Sequence, residues 1–452
     1  MNSVFESRTT SRVPESPESV EDTGIGLNSL LRILMKAMYV HGVELESELA
    51  EIMKIGRNIV RDLLDEARDQ KLVETKGSAG ASIQAEIRYG LTSKGQEWAA
   101  DALELSQYIG PAPVSLSSYY EQIRKQPLIG ERVEQDAIDR GLSEYVVPRA
   151  LVRRLGQAVN SARAMLLYGA PGNGKTTIGE IVGGVFKEII FIPYCIEVDG
   201  NIVKIYDPAI HVQETDPSVL LQAVPEMAGY KAREIDGRWV ACRRPTVIAG
   251  GELTLEMLDL QFNEYSKFYE APLHVKAMGG TFLIDDLGRQ LVEPEALLNR
   301  WITPLEKRVD YLTLSSGRTF TLPFDVLVIF ATNLTPEDLM DPAFLRRIAY
   351  KVQVHQPSEE HYRAVFRMLC DKHEVPYEDS VADFAMDKIQ NVLNQPLAFY
   401  QPRFIVEQII AACKYEGVPP RMDTELLIDA LDNISLEEGL IAPESTAPLR
   451  AS

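Results

Sequence analysis

The chain has 452 residues, 45% of them hydrophobic and 25% charged, which is the composition of an ordinary globular protein. This length predicts two to four domains. The net charge of −20 argues against broad electrostatic binding to nucleic acid or to an anionic membrane, although a local basic patch could still bind either. No apolar run reaches the length of a membrane span, and the polar, acidic start predicts no secretory signal. Four widely spaced cysteines without a C-x-x-C pair predict a reducing, cytoplasmic environment.

The first part of the chain divides into three segments. Residues 1–25 are rich in Ser, Glu, Pro and Thr, which predicts a disordered tail. Residues 26–105 predict three helices, a hairpin with a flexible tip at 77–82, and a helix capped by Thr92. The return strand reads Y-G-L-T-S-K-G, and the whole unit resembles a winged helix-turn-helix domain. Residues 106–145 predict a Pro-containing linker with a short helix.

Residues 146–355 alternate short apolar runs with amphipathic segments, which predicts an α/β domain with a mostly parallel sheet. The predicted strands cover residues 164–168, 189–192, 281–284 and 326–331. A polar stretch at about 195–250 carries turn signals and predicts an insertion of hairpins and loops. Residues 356–436 change to a helical pattern that predicts a lid, and residues 437–452 predict a flexible tail.

A Gly-rich turn lies between a predicted buried strand and a predicted helix. Its residues are Gly169, Ala170, Pro171, Gly172, Asn173, Gly174, Lys175, Thr176 and Thr177. Glycines let the backbone curve so that N–H groups can surround an anion, and a helix start adds further donors. Lys175 can then reach the β- and γ-phosphates, and the Thr176 hydroxyl can bind Mg²⁺. The pattern therefore predicts that ATP binds here together with Mg²⁺.

Two carboxylates follow the predicted buried strand at residues 281–284. Asp285 can hold Mg²⁺ beside Thr176, and Asp286 can orient and deprotonate the attacking water. The alternative interpretation is a pair of acids that cap the following helix.

Polar side chains farther along the chain complete the pattern. Asn333 follows the next apolar strand, where an amide can position water or contact the γ-phosphate, or else serve only as a turn residue. Arg346 and Arg347 have planar guanidinium groups that can neutralise charge on a phosphate. The alternative is that both are solvated or paired with carboxylates. Arg403 follows Pro402 in a predicted first helical turn, from which it could reach back to the nucleotide.

These elements in this order, with a helical lid behind them, resemble the AAA+ ATPase family over about residues 146–434. The resemblance implies the following roles: residues 169–176 as the Walker A loop, Asp285 and Asp286 as the Walker B acids, Asn333 as sensor 1, Arg346 or Arg347 as the arginine finger, and Arg403 as sensor 2. The family usually has Asp-Glu at Walker B, so the shorter Asp286 implies that hydrolysis could be slow. A predicted hairpin before the Asn333 strand resembles the MoxR and chelatase branch.

Three hypotheses about function follow. The resemblance implies a hexameric ring of identical subunits, and hence an ATP-driven remodelling or assembly ATPase that acts on a protein client. The alternative is an ATP-controlled DNA-binding regulator, in which Lys54, Arg57, Asn58, Arg61, Lys76 and Arg88 of the winged-helix-like unit would contact a duplex. Residues 26–105 nevertheless contain 10 basic and 13 acidic residues, whereas duplex readers usually show a basic stripe. The third hypothesis is a switch that binds ATP and hydrolyses little of it.

Overall fold

The computed structural model describes residues 11–79, 86–229 and 234–434. Its first unit consists of three helices, an antiparallel hairpin and a fourth helix around one apolar core. The elements are α1 (Leu27–His41), α2 (Glu46–Met53), α3 (Arg57–Asp69), β1 (Val73–Ala79), β2 (Glu86–Leu91) and α4 (Ser93–Leu105). Helix α4 begins where expected, because the Thr92 hydroxyl accepts a hydrogen bond from the Gly95 N–H at 3.0 Å. Of the predicted hairpin tip, residues 77–79 belong to β1, and residues 80–82 lie outside the described residues.

The segment before this unit is packed, which contradicts the predicted disordered tail for residues 11–25. Val13 is 1% exposed and belongs to the core of the α/β domain. The Pro14 carbonyl accepts a hydrogen bond from the Asp236 N–H at 2.9 Å, and Glu15 pairs with Ile235. The polar composition gives no sign of this packing, because residues far along the chain supply the hydrogen-bond partners of its backbone groups. Residues 1–10 lie outside the described residues.

The predicted linker at residues 106–145 is also part of the folded body. It contains β3 (Val114–Ser115), α5 (Leu116–Lys125) and α6 (Gln135–Gly141), with a 3₁₀ turn at Leu128–Gly130. Tyr119 of α5 is 1% exposed and packs in the core of the α/β domain. The predicted short helix is therefore present, but the segment packs against its neighbours instead of separating two domains.

The central domain contains a five-stranded parallel sheet, which confirms the predicted α/β class. Its elements in chain order are α7 (Arg149–Ser161), β4 (Met165–Tyr168), α8 (Lys175–Gly183), β5 (Ile189–Pro193), β6 (Cys195–Val198), β7 (Asn201–Lys204), α9 (Pro217–Ala223), β8 (Trp239–Arg243), β9 (Thr246–Ala249), β10 (Gln261–Phe262), β11 (Tyr269–Glu270), α10 (Leu273–Lys276), β12 (Thr281–Ile284), α11 (Pro294–Lys307), β13 (Val309–Thr313), β14 (Thr319–Pro323), β15 (Leu327–Thr332), α12 (Pro336–Leu339), α13 (Pro342–Leu345) and β16 (Tyr350–Gln353). The strand order in the sheet is β16-β4-β15-β12-β9.

Both faces of this sheet are covered, which explains why its strands are continuous apolar runs. Phe282 and Ile284 of β12 pack into one core, whereas Leu283 between them packs into the other. Successive side chains of a strand point to opposite faces, so a strand buried on both faces needs apolar residues at every position. The carboxyl ends of all five strands lie at one edge of the sheet, because the strands are parallel.

Two predictions about the central domain are corrected by the strand pairing. Residues 189–192 form a strand, but β5 pairs antiparallel with β8 outside the parallel sheet. The edge position of that sheet belongs to β9, which lies within the segment predicted as an insertion. Of the inserted strands, β6 and β7 join β3, β10 and β11 in a second sheet, with the order β10-β11-β7-β6-β3. An apolar run predicts a buried strand, but it carries no information about which strand becomes its neighbour.

The hairpin and the helical lid lie where the sequence predicts them. Strands β13 and β14 pair antiparallel directly before β15. The lid consists of α14 (Glu359–Lys372), α15 (Asp379–Asp387) with a π-helical turn at Lys388–Val392, α16 (Tyr400–Glu416) and α17 (Thr424–Asp432). It has an apolar core of its own. None of the helices within the described ranges is long and apolar enough to cross a bilayer. The predicted C-terminal tail lies outside those ranges.

Candidate active site

The Gly-rich loop curves sharply between β4 and α8. Three of its glycines have positive φ angles: 146° at Gly169, 76° at Gly172 and 78° at Gly174. A Cβ on Gly169 would lie 2.3 Å from the Val354 carbonyl oxygen, closer than any real contact. Side-chain-bearing residues are strained at these angles. The glycines are therefore required by the shape of the loop.

The loop presents unpaired backbone donors where α8 begins. Within the described part of the chain, the N–H groups of residues 173–176 donate to no protein acceptor. The first N–H groups of any helix lack partners inside the helix, and the helix dipole makes this end partly positive. The loop and the first turn of α8 together can therefore bind an anion through the backbone.

Lys175 is nearly buried beneath the loop. Its ammonium donates to the carbonyl oxygens of Gly169 at 3.0 Å and Ala170 at 2.9 Å, and to Oδ1 of Asn333 at 2.5 Å. Burial lowers the pKa of Lys175, and the negative charges of Asp285 and Asp286 oppose that shift without cancelling it. The ammonium is thus held by neutral oxygen atoms and lies close enough to both acids to feel their charge.

The carboxyl ends of β12 and β15 bring the other predicted side chains to the same place. The Thr176 hydroxyl donates to Oδ2 of Asp285 at 2.8 Å. The amide nitrogen of Asn333 donates to Oδ1 of Asp286 at 3.0 Å. Asp286 has a φ of 48°, a left-handed conformation that aspartate adopts more readily than most residues. Two hydrogen-bonded groups, Lys175–Asn333–Asp286 and Thr176–Asp285, therefore lie side by side and form one connected cluster, because their members are neighbours in the chain.

The three arginines singled out from the sequence lie outside this connected cluster. Arg346, at the end of α13, is exposed and has no ion-pair partner in the described part of the chain. Arg347 is mostly buried, with its Nε 2.9 Å from Oε1 of Glu306. Arg403 lies in α16, where its Nε donates to Oε1 of Glu407 at 2.7 Å. The structure thus distinguishes two neighbouring arginines that the sequence leaves equivalent.

A cavity of about 700 Å³ opens beside the loop, between the central domain and the lid. Its wall includes Asn173, Gly174 and Thr177 of the loop and α8, and Arg403 of the lid. Apolar side chains complete it, among them Val146, Val147, Ile178, Val354 and Leu369. A small-molecule pocket usually has such apolar walls with a few placed polar groups. The cavity thus joins the backbone donors of the loop to an apolar compartment.

Three features of the site escape the sequence analysis. Arg289 lies in a turn closed by its N–H donating to the Asp286 carbonyl at 2.9 Å, and its charge acts on Lys175. Residues 143–148 form part of the cavity wall, although the sequence predicts a linker up to residue 145. Tyr400 lies against the loop. The nearness of Arg289 to Asp286 in the sequence could have indicated the first, whereas Tyr400 is separated from the loop by more than half of the chain.

Comparison with known proteins assigns no activity to the chain. A family model described as "Domain of unknown function (DUF8689)" matches residues 358–433, which are the helical lid. No curated protein matches the chain in sequence.

Solved structures resemble the chain in part. Domain III of the replication initiation protein DnaA from Thermotoga maritima has 13% identity and a TM-score of 0.36; the match covers 68% of this chain and 98% of that one. NtrX from Brucella abortus has 14% identity and a TM-score of 0.40, with coverage of 75% and 73%. The RuvB Holliday junction branch migration motor from Thermotoga maritima has 13% identity and a TM-score of 0.35, with coverage of 66% and 72%. Structural similarity at these identities and TM-scores does not indicate an activity for this chain.

Proposed function

We propose that the chain binds Mg·ATP at the cluster around Lys175 and hydrolyses it, as an AAA+ ATPase does. One observation carries the proposal. Lys175, Thr176, Asp285, Asp286 and Asn333 come from α8 and from the ends of β12 and β15, yet hydrogen bonds of 2.5 to 3.0 Å join Lys175 to Asn333, Asn333 to Asp286, and Thr176 to Asp285. A cation, a hydroxyl, two carboxylates and an amide are the groups that a Mg·ATP site uses. A Gly-rich turn without ATP chemistry would give no reason for two acids and an amide to converge on it.

The donor set fits Mg²⁺. A hydroxyl and a carboxylate oxygen 2.8 Å apart, from Thr176 and Asp285, are hard oxygen ligands, which Mg²⁺ prefers. These two residues would hold the ion, directly or through water. When bound, the ion supplies positive charge that neutralises the phosphate oxygens.

The remaining residues divide the work of binding and chemistry. The backbone N–H groups of residues 173–176 and the ammonium of Lys175 would bind the phosphates, and the apolar cavity beside them would take the base. Asp286 would accept the proton of the attacking water, and the Asn333 amide, which donates to it, would keep its carboxylate oriented. Arg403, on the cavity wall, would contact the nucleotide from the lid.

A shared site between subunits is supported by the two arginines after α13. Arg347 is committed to Glu306 within its own subunit, whereas Arg346 is exposed. Arg346 would therefore be the residue that completes the site of a neighbouring copy. A contact in which each subunit serves the next closes into a ring, and the family resemblance implies a hexamer. The hairpin β13–β14 before β15 supports the MoxR and chelatase branch.

The N-terminal unit favours a protein client over DNA. Of the six candidate DNA contacts, four have side chains that are engaged inside the chain. Lys76 and Arg88 pair with Glu44, and Arg61 pairs with Glu46. The Asn58 amide donates to the carbonyl of Glu18. The side chains of Lys54 and Arg57 have no polar partner among the residues described. Remodelling or assembly of a protein client is therefore the function that we propose, with DNA-dependent regulation as the weaker alternative.

The test is steady-state ATP hydrolysis per subunit, measured over a range of protein concentrations, with Lys175→Ala as the blank. The proposal predicts a rate per subunit that rises and then saturates, and that falls in Arg346→Ala. A matched variant, Arg421→Ala, removes an exposed arginine of the lid that does not line the cavity, and it should behave as the wild type. Tight ATP binding without turnover at any concentration would contradict the hydrolysis and favour a nucleotide switch. A chain that binds no ATP would contradict the proposal itself.

A further inference from the structure

The lid is hydrogen-bonded directly to the Gly-rich loop at residues 169–176, the phosphate loop of the proposed site. The Tyr400 N–H, at the start of α16, donates to the Gly172 carbonyl oxygen at 3.1 Å. The Tyr400 ring lies over the same glycine, so closely that a Cβ on Gly172 would be 2.4 Å from the ring. Gly172 therefore has two reasons to lack a side chain: its φ of 76° and the ring that covers it.

Asn173 makes a second connection between the loop and the lid. Its side chain is 2% exposed and bonds in both directions. Its amide nitrogen donates to the Ala170 carbonyl inside the loop at 3.3 Å, and its Oδ1 accepts the Phe399 N–H of the lid at 3.4 Å. The Ala170 oxygen also accepts the Lys175 ammonium. One buried amide thus links the lid backbone to the carbonyl that orients Lys175.

The peptide bond between Gly172 and Asn173 ties these contacts to the phosphate site. A peptide unit is planar, and this one is trans, so the Gly172 C=O and the Asn173 N–H point in opposite directions. The lid bond to the carbonyl therefore fixes the direction of the N–H, which belongs to the donors free for an anion. An anion at the N–H end also polarises the carbonyl and makes it a better acceptor for Tyr400.

We propose that Asn173 and Tyr400 are positioning residues that couple occupancy of the phosphate loop to docking of the lid. This inference rests on the proposed nucleotide site and adds the route by which occupancy reaches the lid. Phosphate binding orders the 172–173 peptide, and the ordered peptide holds the first turn of α16. The same turn carries Arg403 at the cavity wall. Coupling is reciprocal, so a docked lid must also raise nucleotide affinity by the same factor.

The experiment uses the full chain and a fluorescent analogue of Mg·ADP. Two quantities are measured: the dissociation constant, and hydrogen–deuterium exchange in peptides covering residues 397–406 and 172–182, with and without nucleotide. The variants are Asn173→Ala, which removes both side-chain bonds, and Tyr400→Ala, which removes the ring over Gly172. Tyr400→Phe keeps the ring and loses only the hydroxyl. Tyr415→Ala is the matched control, because Tyr415 lies on the same helix and is 93% exposed.

In the wild type, we expect nucleotide to slow exchange in both peptides. In Asn173→Ala and Tyr400→Ala the dissociation constant should rise about fivefold or more. Nucleotide should still protect residues 172–182 in these variants but no longer protect residues 397–406, a separation that general destabilisation would not produce. Tyr400→Phe and Tyr415→Ala should match the wild type. Wild-type affinity and wild-type lid protection in both alanine variants would overturn the inference alone. A wild-type chain that binds no nucleotide would overturn the proposed function and this inference with it.

Discussion

The phosphate loop and the start of α3 each combine a glycine, a helix N-terminus and basic side chains, but they use these features differently. At the loop, Lys175 is directed inward to neutral oxygens, and the backbone donors around it have no protein partner. At α3, Arg61 is paired with Glu46, and Asn58 donates to the backbone at Glu18. Lys175 contacts only neutral oxygens and keeps its charge available to an anion, whereas the charge of Arg61 is neutralised by the carboxylate of Glu46. Basic residues near a helix start therefore indicate an anion site only when no carboxylate of the chain already pairs with them.

The largest expected effect concerns the site side of this comparison. Asp286→Asn should lower the rate of ATP hydrolysis by about 100-fold or more, because the general base is lost. Asparagine tolerates the left-handed backbone at this position and can still accept from Asn333, so ATP affinity should change little. Single-turnover hydrolysis and equilibrium ATP binding are the measurements.

Asp387→Asn is the matched control for that variant, because Asp387 is an exposed residue of the lid. It should hydrolyse ATP like the wild type. Hydrolysis by Asp286→Asn at the wild-type rate would remove Asp286 from the chemistry and contradict the proposed mechanism.

The second effect concerns the clamp that holds the N-terminal unit against the central domain. The Arg238–Asp236 pair is almost fully buried, and Arg238 also donates to the carbonyl oxygens of Thr23 and Pro113, both at 3.0 Å. Asp236→Asn should lower the free energy of unfolding by about 3 to 5 kcal/mol, because it leaves a buried guanidinium without its counter-charge. Urea unfolding followed by tryptophan fluorescence measures the change.

Glu46→Gln is the comparison for Asp236→Asn, since its partner Arg61 is 59% exposed. Glu46→Gln leaves behind an exposed guanidinium that water can solvate, so the loss should be much smaller, about 0 to 1 kcal/mol. Equal losses in the two variants would mean that burial does not distinguish the clamp from a surface pair.

A third effect depends on pH and concerns the core of the N-terminal unit. Lys36 is 3% exposed and donates to the Ser106 carbonyl at 2.7 Å. Burial, with a smaller contribution from Arg32, lowers its pKa from 10.5 to about 8. The folded state holds this proton less tightly than the unfolded chain does. The free-energy cost of burying the charged side chain is therefore full below about pH 8 and disappears as the pH rises toward 10.5.

Lys36→Met should therefore stabilise the protein by about 1 to 2 kcal/mol at pH 7, after allowance for the lost hydrogen bond. The gain over the wild type should shrink between pH 8 and pH 10. Urea unfolding of both proteins at several pH values provides the measurement. A gain that is constant with pH would show that the charge of Lys36 is not its cause.

The smallest effects are expected on the exposed face of α3 and the hairpin. Arg61→Ala and Arg88→Ala should each change the free energy of unfolding by less than about 1 kcal/mol. Neither should alter binding of the full chain to duplex DNA, because both side chains are already paired with glutamates. Fluorescence anisotropy at several salt concentrations measures that binding. Salt-sensitive binding that both substitutions weaken would restore the DNA-binding alternative.

The two regions also differ in how far the sequence predicts them. The phosphate loop, the two acids and Asn333 were predicted together because each follows a buried apolar strand, and parallel strands bring their carboxyl ends to one edge. Arg346 and Arg347 were equivalent in the sequence, because only the position of Glu306 commits one of them. The clamp at Arg238 was not predicted at all. Its acceptors at residues 23 and 113 are far away along the chain.

The sequence by itself determined the local features of this protein: most strands of the parallel sheet, the glycines of the loop, the helix cap at Thr92, and the residue types of the candidate site. These features depend on periodicity, backbone conformation and side-chain chemistry over a few neighbouring residues. Tertiary structure alone decided that residues 11–25 pack into the body, that β9 takes the edge of the parallel sheet, and that Tyr400 covers Gly172. Each of these outcomes requires contacts between segments that are far apart in the sequence. The free energy of such contacts is set by how closely the side chains pack in the folded protein.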